Sequence, residues 1–270
     1  MPELPEVETT RRGISPHVVG QRIVRVDIHE RRLRWPVPDN IEELLVGQRL
    51  EDIERRAKYL LLHTQLGSAI VHLGMSGRLQ VTDPGHRRRK HDHVDIVFDN
   101  NLALRFHDPR RFGCLLWTDN PPQHPLLASL GPEPLSDAFD ASHLYQASRG
   151  RRVAIKSFIM DAKVVVGVGN IYASEALFLA GIHPLRQAGK LSRPKMQRLT
   201  DAIKHVLGKA ITAGGTTLRD YLGGDGNPGY FAQQLNTYGR TGEPCTTCGK
   251  AITQRVIGQR STFYCTNCQS

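Results

Sequence analysis

The first part of the chain alternates apolar and polar residues with the period of two that is typical of β-strands. Between residues 22 and 30, Val24, Val26 and Ile28 are separated by charged or polar side chains, so one face of this segment can pack on a core. A short helix is predicted before it, over residues 3–19, because Gly20 suits the position just past a helix end. The other predicted strands are residues 59–62, 69–73, 93–99, 102–106 and 113–117. Many short strands with Gly, Asp and Asn turns indicate a β-sandwich or barrel of about 115 residues.

The periodicity changes in the second part of the chain. Five prolines between residues 119 and 134 would interrupt any regular element, so residues 119–136 are predicted as a linker. Beyond them the period becomes helical. The clearest helix begins near Ser192, a good N-cap, and ends before Gly214 and Gly215. Shorter helices are predicted over residues 137–148, 153–161 and 172–180, and a glycine-rich loop over residues 223–229.

Four of the five cysteines form two CxxC pairs near the C-terminus. Sixteen residues separate the pair Cys245 and Cys248 from the pair Cys265 and Cys268, a spacing typical of a four-cysteine zinc ribbon. Since all four ligands would come from the protein, the zinc would be structural, and its binding is expected to supply the folding energy of so small a segment. Redox-active cysteines are the alternative. Cys114 stands apart and is expected to be a small buried hydrophobe.

The chain is basic, which favours a polyanionic partner. It has 270 residues, with 36 Lys and Arg against 26 Asp and Glu, and a formal net charge of +10. A basic enzyme without a nucleic-acid role is the alternative. No apolar run approaches the length of a membrane span, and the acidic start MPELPEVE is unlike a secretion signal. We therefore expect a cytoplasmic protein with no membrane partner.

The N-terminus offers a candidate nucleophile. Removal of Met1 would leave Pro2 as a secondary amine, and an α-amino group with a pKa of about 7.7–8.0 is partly unprotonated at neutral pH. Attack of this amine on an aldehyde-like sugar carbon gives an iminium ion, which acidifies the neighbouring carbon. Glu3 could protonate a leaving oxygen. On its own this pattern is weak, since proline is common at position 2.

Together, the motifs of the chain resemble those of the bacterial formamidopyrimidine-DNA glycosylases, which excise 8-oxoguanine and ring-opened purines. Six stretches match in the family's order and cover the whole chain. They are PELPEVE at residues 2–8, HLGMSGR at 72–78, KHDHVD at 90–95, DPRRFG at 108–113, VVGVGNIYASEALF at 165–178, and the C-terminal cysteine pairs. Six matches in one order are not expected by chance.

The resemblance implies an α+β multidomain fold. Its parts are an N-terminal helix plus a two-layered β-sandwich, a helix–two-turn–helix domain and a C-terminal four-cysteine zinc finger. The implied boundaries are a catalytic domain over residues 2–118, the linker over 119–136, a DNA-binding domain over 137–230 and a zinc-finger hairpin over 236–270. One structural Zn²⁺ per chain is the expected cofactor, and a monomer is the expected state.

The resemblance also implies catalytic roles for four residues. Pro2 would attack C1′ of the damaged nucleotide, and Glu3 would be the acid/base that assists base release. Lys58 matches the lysine of the β-elimination step and of a phosphate contact, and Arg260 matches the zinc-finger arginine of the δ-elimination step. The implied activity is that of a bifunctional DNA glycosylase and AP lyase that acts through a Schiff base. The implied partner is double-stranded DNA with oxidised purines or abasic sites.

Further positions match residues that contact DNA in the family. Met75, Arg110 and Phe112 correspond to the side chains that fill the gap left by an extruded nucleotide. A flexible apolar group, a hydrogen-bond donor and an aromatic wedge suit that task. The other implied contacts are His91, Arg151, where relatives often have lysine, Asn170, and a loop over residues 215–231 that covers the flipped base. Lys156 is expected near DNA without an assigned role.

Two other functions remain open at this point. An enzyme of the endonuclease VIII type would prefer oxidised pyrimidines, but the LPEVE start and the complete set of three gap-filling residues argue against it. A non-catalytic, damaged-DNA-binding zinc protein would share the charge and the cysteine pairs. Such a protein has no reason to combine Pro2, Glu3 and Lys58.

Overall fold

The computed structural model describes residues 2–215 and 234–270, which fall into two compact units. The first unit comprises Met1–Ser129 and Ala213–Tyr230, and the second Leu130–Thr212 and Phe231–Ser270. Of the loop predicted over residues 215–231, only Gly215 is among the described residues, and the glycine-rich stretch 223–229 lies outside them.

The described residues of the first unit form two α-helices and two antiparallel four-stranded sheets. Its helices are α1 (Leu4–Val18) and α2 (Ile41–Leu45). Its strands are β1 (Ile23–Ile28), β2 (Asp52–Arg56), β3 (Tyr59–Thr64), β4 (Gly67–His72), β5 (Arg78–Thr82), β6 (Asp92–Phe98), β7 (Ala103–His107) and β8 (Cys114–Thr118). One sheet has the order β1-β6-β7-β5 and the other β2-β3-β4-β8. Apolar side chains from both sheets and from α1 form one buried cluster, so the predicted two-layered sandwich is confirmed.

Strand β6 differs from the alternating pattern that predicted it. All seven of its residues are buried, including Asp92, His93 and Asp95. These polar groups are buried because they are hydrogen-bonded: Asp95 receives two bonds from Arg105 on β7, at 2.7 and 2.9 Å. Cys114 is also fully buried, as expected, and burial raises the pKa of its thiol to about 12.

Four α-helices and a two-stranded hairpin are found in the described part of the second unit. The helices are α3 (Ala141–Ser148), α4 (Ile155–Ile159), α5 (Asn170–Leu179) and α6 (Arg193–Thr212), and the hairpin joins β9 (Thr253–Ile257) to β10 (Arg260–Tyr264). Helix α6 confirms the clearest helical prediction, with Met196, Leu199 and Ile203 on its buried face. Among the described residues, no helix is both long and apolar enough to cross a membrane.

Candidate active site and nucleic-acid interface

The candidate nucleophile comes directly before the first helix. Pro2 is buried, and Glu3, which is 2% exposed, is the N-cap residue of α1. Glu3 and Glu6 form a capping box, in which the Glu6 carboxylate accepts the backbone N–H of Glu3 at 2.9 Å. Pro5 can occupy the first helical turn because its missing N–H would have no partner within the helix. The start of α1 therefore fixes the backbone that carries the candidate nucleophile.

Gly215 approaches the same capping box. Its φ is +81°, and an added Cβ would lie 3.1 Å from Glu6 Oε1. A side chain at this position would press on the carboxylate that holds the Glu3 N–H, and it would also strain the backbone. The positive φ therefore favours glycine at this position.

An ionic cluster around the buried carboxylate of Glu8 connects α1 to the turn that carries Lys58. The carboxylate of Glu8 accepts bonds from two arginines of α1 and from Arg55 Nε, the last at 3.2 Å. Arg55 Nη1 in turn donates to the carbonyl of Ala57 at 3.1 Å. Burial alone would raise the pKa of Glu8, but the arginine hydrogen bonds outweigh it and lower that pKa. The helix that begins at Glu3 is thus tied to the residue that precedes Lys58.

The turn itself holds an unfavourable backbone conformation. Ala57 has a φ of 57° and is buried, and the neighbouring residues Arg56 and Tyr59 pair across the β2–β3 hairpin. The left-handed region costs a non-glycine residue roughly 1–2 kcal/mol. Such strain persists only where the surrounding structure determines the conformation. Here the Arg55 bond and the hairpin do so, and they hold the half-buried Lys58 at the end of the turn.

A neutral histidine lies next to Lys58. The pKa of His72 is lowered to about 4, first by burial and then by the nearby positive charges of Lys58 and Arg34. Its Nδ1 accepts the backbone N–H of Gly74 at 3.0 Å, so the neutral ring carries its proton on Nε2. His72 therefore links the surroundings of Lys58 to the turn that carries Met75. Sequence reasoning quoted this histidine within a motif but gave it no role.

One buried carboxylate holds both turns that carry the predicted gap-filling residues. Asp108 is fully buried; its Oδ2 accepts the N–H of Gly113 at 2.8 Å, and its Oδ1 accepts the hydroxyl of Ser76 at 3.3 Å. Ser76 follows Met75 in the chain, and Gly113 follows Phe112. A single side chain therefore sets the position of one turn relative to the other.

The two turns also touch backbone to backbone. An added Cβ on Gly74 would lie 2.4 Å from Gly113 N and 2.5 Å from the carbonyl carbon of Phe112. The Arg110 guanidinium carbon lies 4.9 Å from the centre of the Phe112 ring, which is 40% exposed. Met75 is half-buried in the other turn. The structure thus brings the Met75 turn against the turn of Arg110 and Phe112.

His91 contacts Asp108 through its backbone and two neighbouring histidines through its ring. Its backbone carbonyl accepts the N–H of Asp108 at 3.0 Å, and its ring contacts the His107 and His93 rings edge-on, with centroids 6.0 and 6.2 Å apart. The pKa of His91 is lowered by partial desolvation and then by Lys90 and the neighbouring histidines. Desolvation and the nearby positive charges therefore both disfavour the charged form of this imidazole.

The second unit contains the four-cysteine group. The Sγ atoms of Cys245, Cys248, Cys265 and Cys268 lie within 4.8 Å of one another, with two of the separations at 3.9 and 3.5 Å. A tetrahedral Zn²⁺ with Zn–S bonds of about 2.3 Å requires sulfurs about 3.8 Å apart. The four thiolates therefore fit one structural Zn²⁺ as ligands.

The C-terminal hairpin that carries two of the cysteines also packs against the rest of the second unit. From its small size we expected zinc binding alone to stabilise it. Phe178 of α5 packs in one buried cluster with Ile252, Phe263 and two of the cysteines. The Tyr238 ring adds an edge contact to Phe263, with centroids 4.9 Å apart. The hairpin thus shares a hydrophobic core with α5.

Arg260 opens strand β10 on this hairpin. It is exposed and follows a tight turn in which Gly258 and Gln259 both have positive φ, 54° and 60°. Cys265 follows directly after the same strand. The strand therefore connects the metal site rigidly to the arginine.

Lys156 is a buried lysine, 1% exposed, whose ammonium group is hydrogen-bonded within the second unit. Its Nζ donates to Asn170 Oδ1 at 2.6 Å, to the Ser261 carbonyl at 3.1 Å and to Thr262 Oγ1 at 2.7 Å. Asn170 Nδ2 also donates to the Ser261 carbonyl, at 2.9 Å. The side chain of Asn170, which is predicted to bind phosphate, is thus hydrogen-bonded to Ser261, the residue after Arg260.

Glu175 is a further residue that sequence reasoning missed. Its carboxylate is buried and accepts five hydrogen bonds from Asn236, Thr237 and Tyr238, at 2.8–3.1 Å. It therefore anchors the segment that leads into the zinc finger to α5. Arg151, by contrast, is an exposed residue in the loop between α3 and α4.

The candidate residues are divided between the two units. The first unit contains Pro2, Glu3, Lys58, Met75, His91, Arg110 and Phe112, and the second contains Arg151, Asn170, Arg260 and the four cysteines.

Three family models match consecutive parts of the chain. They describe a formamidopyrimidine-DNA glycosylase N-terminal domain at residues 1–115, a formamidopyrimidine-DNA glycosylase H2TH domain at residues 130–221, and a zinc finger found in FPG and IleRS at residues 242–270. The fold and the four-cysteine group thus define a zinc-finger protein of the DNA glycosylase class.

Relatives that match over the full length are consistent with this class. The formamidopyrimidine-DNA glycosylases of Methylococcus capsulatus and Stenotrophomonas maltophilia are each 60% identical to this chain, and each match covers 100% of both sequences. A crystal structure of the MutM (FPG) protein from Thermus thermophilus is 39% identical, with a TM-score of 0.89 over 99% of this chain and 98% of that one. A Lactococcus lactis FPG mutant in complex with Fapy-dG-containing DNA is 34% identical, with a TM-score of 0.93 over 99% of both chains. The chain belongs to the formamidopyrimidine-DNA glycosylase family, which confirms the resemblance drawn from the six motifs.

Proposed function

We propose that the chain removes oxidised purines from double-stranded DNA and then cuts the strand at the resulting abasic site. The relatives are named for the first of these activities, and solved relatives hold DNA with Fapy-dG or with a carbocyclic 8-oxo-G. The observation that carries the proposal is the placement of Pro2. It is buried, directly before a capped helix start, in the unit that also carries Lys58 and the gap-filling turns.

The proposed reaction begins with the secondary amine of Pro2, once Met1 has been removed. Its lone pair attacks C1′ of the extruded nucleotide, the glycosidic bond breaks, and the base leaves with a proton. Glu3 protonates the sugar oxygen, and opening of the ring gives the iminium ion at C1′. The capping box fixes the backbone of Glu3, so the carboxyl group of Glu3 acts from a fixed position beside residue 2.

Strand cleavage follows from the acidity of C2′ in the iminium ion. Loss of a C2′ proton expels the 3′ phosphate, and a second elimination expels the 5′ phosphate. We assign the first elimination to Lys58 and the second to Arg260, which the hairpin turn holds on an exposed strand end. Because Arg keeps its charge at any relevant pH, it can stabilise a departing phosphate throughout.

The three gap-filling side chains would replace the extruded nucleotide. The Phe112 ring and the Met75 side chain offer apolar surface against the bases, and Arg110 offers donors to the orphaned partner base. We assign His91, Arg151 and Asn170 to the DNA backbone. The boundaries 2–118, 119–136, 137–230 and 236–270, the monomeric state, and a cytoplasmic place beside chromosomal DNA stay predictions.

A trapping experiment tests the proposal directly. Borohydride should reduce the iminium ion formed with an 8-oxoguanine duplex and leave a stable protein–DNA adduct, and peptide mapping should place that adduct on Pro2. Protein that retains Met1, identified by intact mass, is the matched control and should give no adduct. An adduct elsewhere in the chain, or full activity of the Met1 form, would rule out this nucleophile.

Substrate comparison separates the remaining alternatives. Excision of 8-oxoguanine should be much faster than excision of thymine glycol; the reverse order would favour an endonuclease VIII type of activity. Binding of damaged DNA with no release of any base would favour the non-catalytic protein.

A further inference from the structure

A basic pocket lies on the β1-β6-β7-β5 sheet, apart from the residues assigned to the reaction. It has a volume of about 430 Å³, and its walls come from β5, β6, β7 and the turn between β5 and β6. Its charged lining residues are Arg78, Arg87, Arg89, Arg105 and Asp92. Four guanidinium groups thus face one carboxylate, so the pocket favours an anion.

The acidic groups of this region are already engaged. Arg105 forms a two-point ion pair with Asp95, at 2.7 and 2.9 Å. Asp92 accepts the backbone N–H of Arg89 at 2.7 Å and lies 2.7 Å from His107 Nδ1. In the described part of the chain, no carboxylate lies within ion-pair distance of the other three guanidinium groups. Their charge therefore remains for a ligand.

Arg78 gives a second, independent indication of a missing acceptor. Its Nε is buried and has no hydrogen-bond partner among the described residues. Buried N–H groups in folded proteins are nearly always paired, and one that is not requires an explanation such as an unseen ion. Here the side chain concerned forms a wall of the basic pocket. A ligand oxygen is the acceptor that would satisfy it.

The chemistry of the lining selects phosphate. Guanidinium groups bind phosphate with two parallel N–H bonds. The lining residues include no Phe, Tyr or Trp on which a nucleobase could stack. The pocket is therefore suited to a phosphate group.

The position of the pocket indicates where that phosphate comes from. His107 lines the pocket, and its ring contacts the ring of His91, which we have assigned to the DNA backbone. We propose that the pocket binds one phosphate group of the DNA backbone, next to the contact made by His91. This inference rests on the proposed function, since it requires DNA to lie along this face of the first unit.

A scan with neutral linkages tests the assignment. A series of duplexes, each with one methylphosphonate and all with a non-cleavable abasic analogue, is titrated by fluorescence anisotropy. For the native protein, one linkage outside the lesion should weaken binding about tenfold, as loss of a charge-assisted hydrogen bond does. Arg78→Gln should bind the unmodified duplex about tenfold more weakly and should no longer respond to that linkage. The slope of log K against log salt should fall by about 1.

Matched variants keep the test decisive. Arg87→Gln, at an exposed pocket residue, should lose the same linkage response even if Arg78→Gln does not fold. Arg88→Gln removes the same charge from the same turn but does not line the pocket, and it should keep the full response. An equal response in all variants would overturn the proposal.

Two further measurements separate the possible sources of phosphate and the two proposals. Saturable binding of inorganic phosphate that is lost in Arg78→Gln, with no linkage response on DNA, would overturn the DNA assignment in favour of a free anion. Excision of 8-oxoguanine is measured on the same preparations. Excision without a linkage response overturns the pocket alone, whereas a linkage response without excision supports the pocket and overturns the proposed function.

Discussion

The buried carboxylate of Asp108 gives the most direct test of how the gap-filling residues are held. Replacing Asp108 with alanine removes both acceptors and leaves the N–H of Gly113 buried and unpaired. It also frees the Ser76 hydroxyl from its partner. Asp108→Asn is the matched variant, because its amide oxygen can still accept from Gly113 while its NH₂ group donates to Ser76.

The expected cost follows from these two bonds. A buried donor left unsatisfied costs about 1–3 kcal/mol, and loss of an ordinary hydrogen bond adds about 1 kcal/mol. Asp108→Ala should therefore lower the free energy of unfolding by about 2–4 kcal/mol. Asp108→Asn should lose about 1 kcal/mol, since both partners keep a bond.

Two measurements read out the effect. Urea unfolding gives the change in stability, and titration with a duplex that carries an abasic analogue gives the effect on the two turns. We expect the alanine variant to bind this duplex more weakly even where it is fully folded, since Met75 and Phe112 then lose their common support. Asp83→Ala is the control, because Asp83 also accepts a backbone N–H, from Gly85 at 2.7 Å, but at an exposed turn; it should change stability by less than about 0.5 kcal/mol. If Asp108→Ala matches that control in both measurements, the reasoning is wrong.

Four further predictions concern other parts of the molecule. Lys58→Ala should reduce base release or strand cleavage in a gel assay while leaving the melting temperature unchanged, because Lys58 is not a core residue; a large fall in melting temperature would contradict this. Glu175→Ala should lower the melting temperature of the second unit by several degrees, since five hydrogen bonds lose their acceptor. Because the pKa of Glu8 is lowered from 4.5, its contribution to stability is present above that pH and is lost as the pH falls through the lowered value. The Glu8→Gln variant should therefore show a flatter stability profile below about pH 4.5. Removal of zinc should weaken DNA binding and strand cleavage together, since the hairpin then no longer holds Arg260; unchanged cleavage by metal-free protein would refute the link.

Elements with a strong local pattern could be predicted from the sequence. Helix α6 has a 3.6-residue apolar period over five turns, and strand β3 begins with the apolar run 59–62. Strand β2 was missed because only Ile53 is buried in it, so its sequence has no alternation to detect. Helix α2 and strand β5, of five residues each, were missed as well.

The residues of the candidate site likewise differ in whether the sequence alone could predict them. The cysteine pairs could be found because metal binding depends on spacing within a short stretch of sequence, whereas the roles of Pro2 and Glu3 came from the family resemblance and stay predictions. Glu175 and Lys156 were not found, because their partners lie 61–63 and 14–106 residues away. A polar residue inside an apolar helix gives no sign of which distant backbone group it will meet. The structure shows that Glu175 holds the segment before the zinc finger against α5. It also shows that Lys156 links the hairpin to Asn170, the first residue of α5.

The apolar cluster shared by Phe178 and the hairpin means that metal content can be monitored from a helix that binds no metal. When the thiolates release their ion, Phe263 and Ile252 lose their fixed positions, and the face of α5 against them is opened to water. Amide hydrogen exchange along Asn170–Leu179 should then accelerate in step with zinc loss, so this helix can report partial demetallation in a sample that still looks folded by circular dichroism.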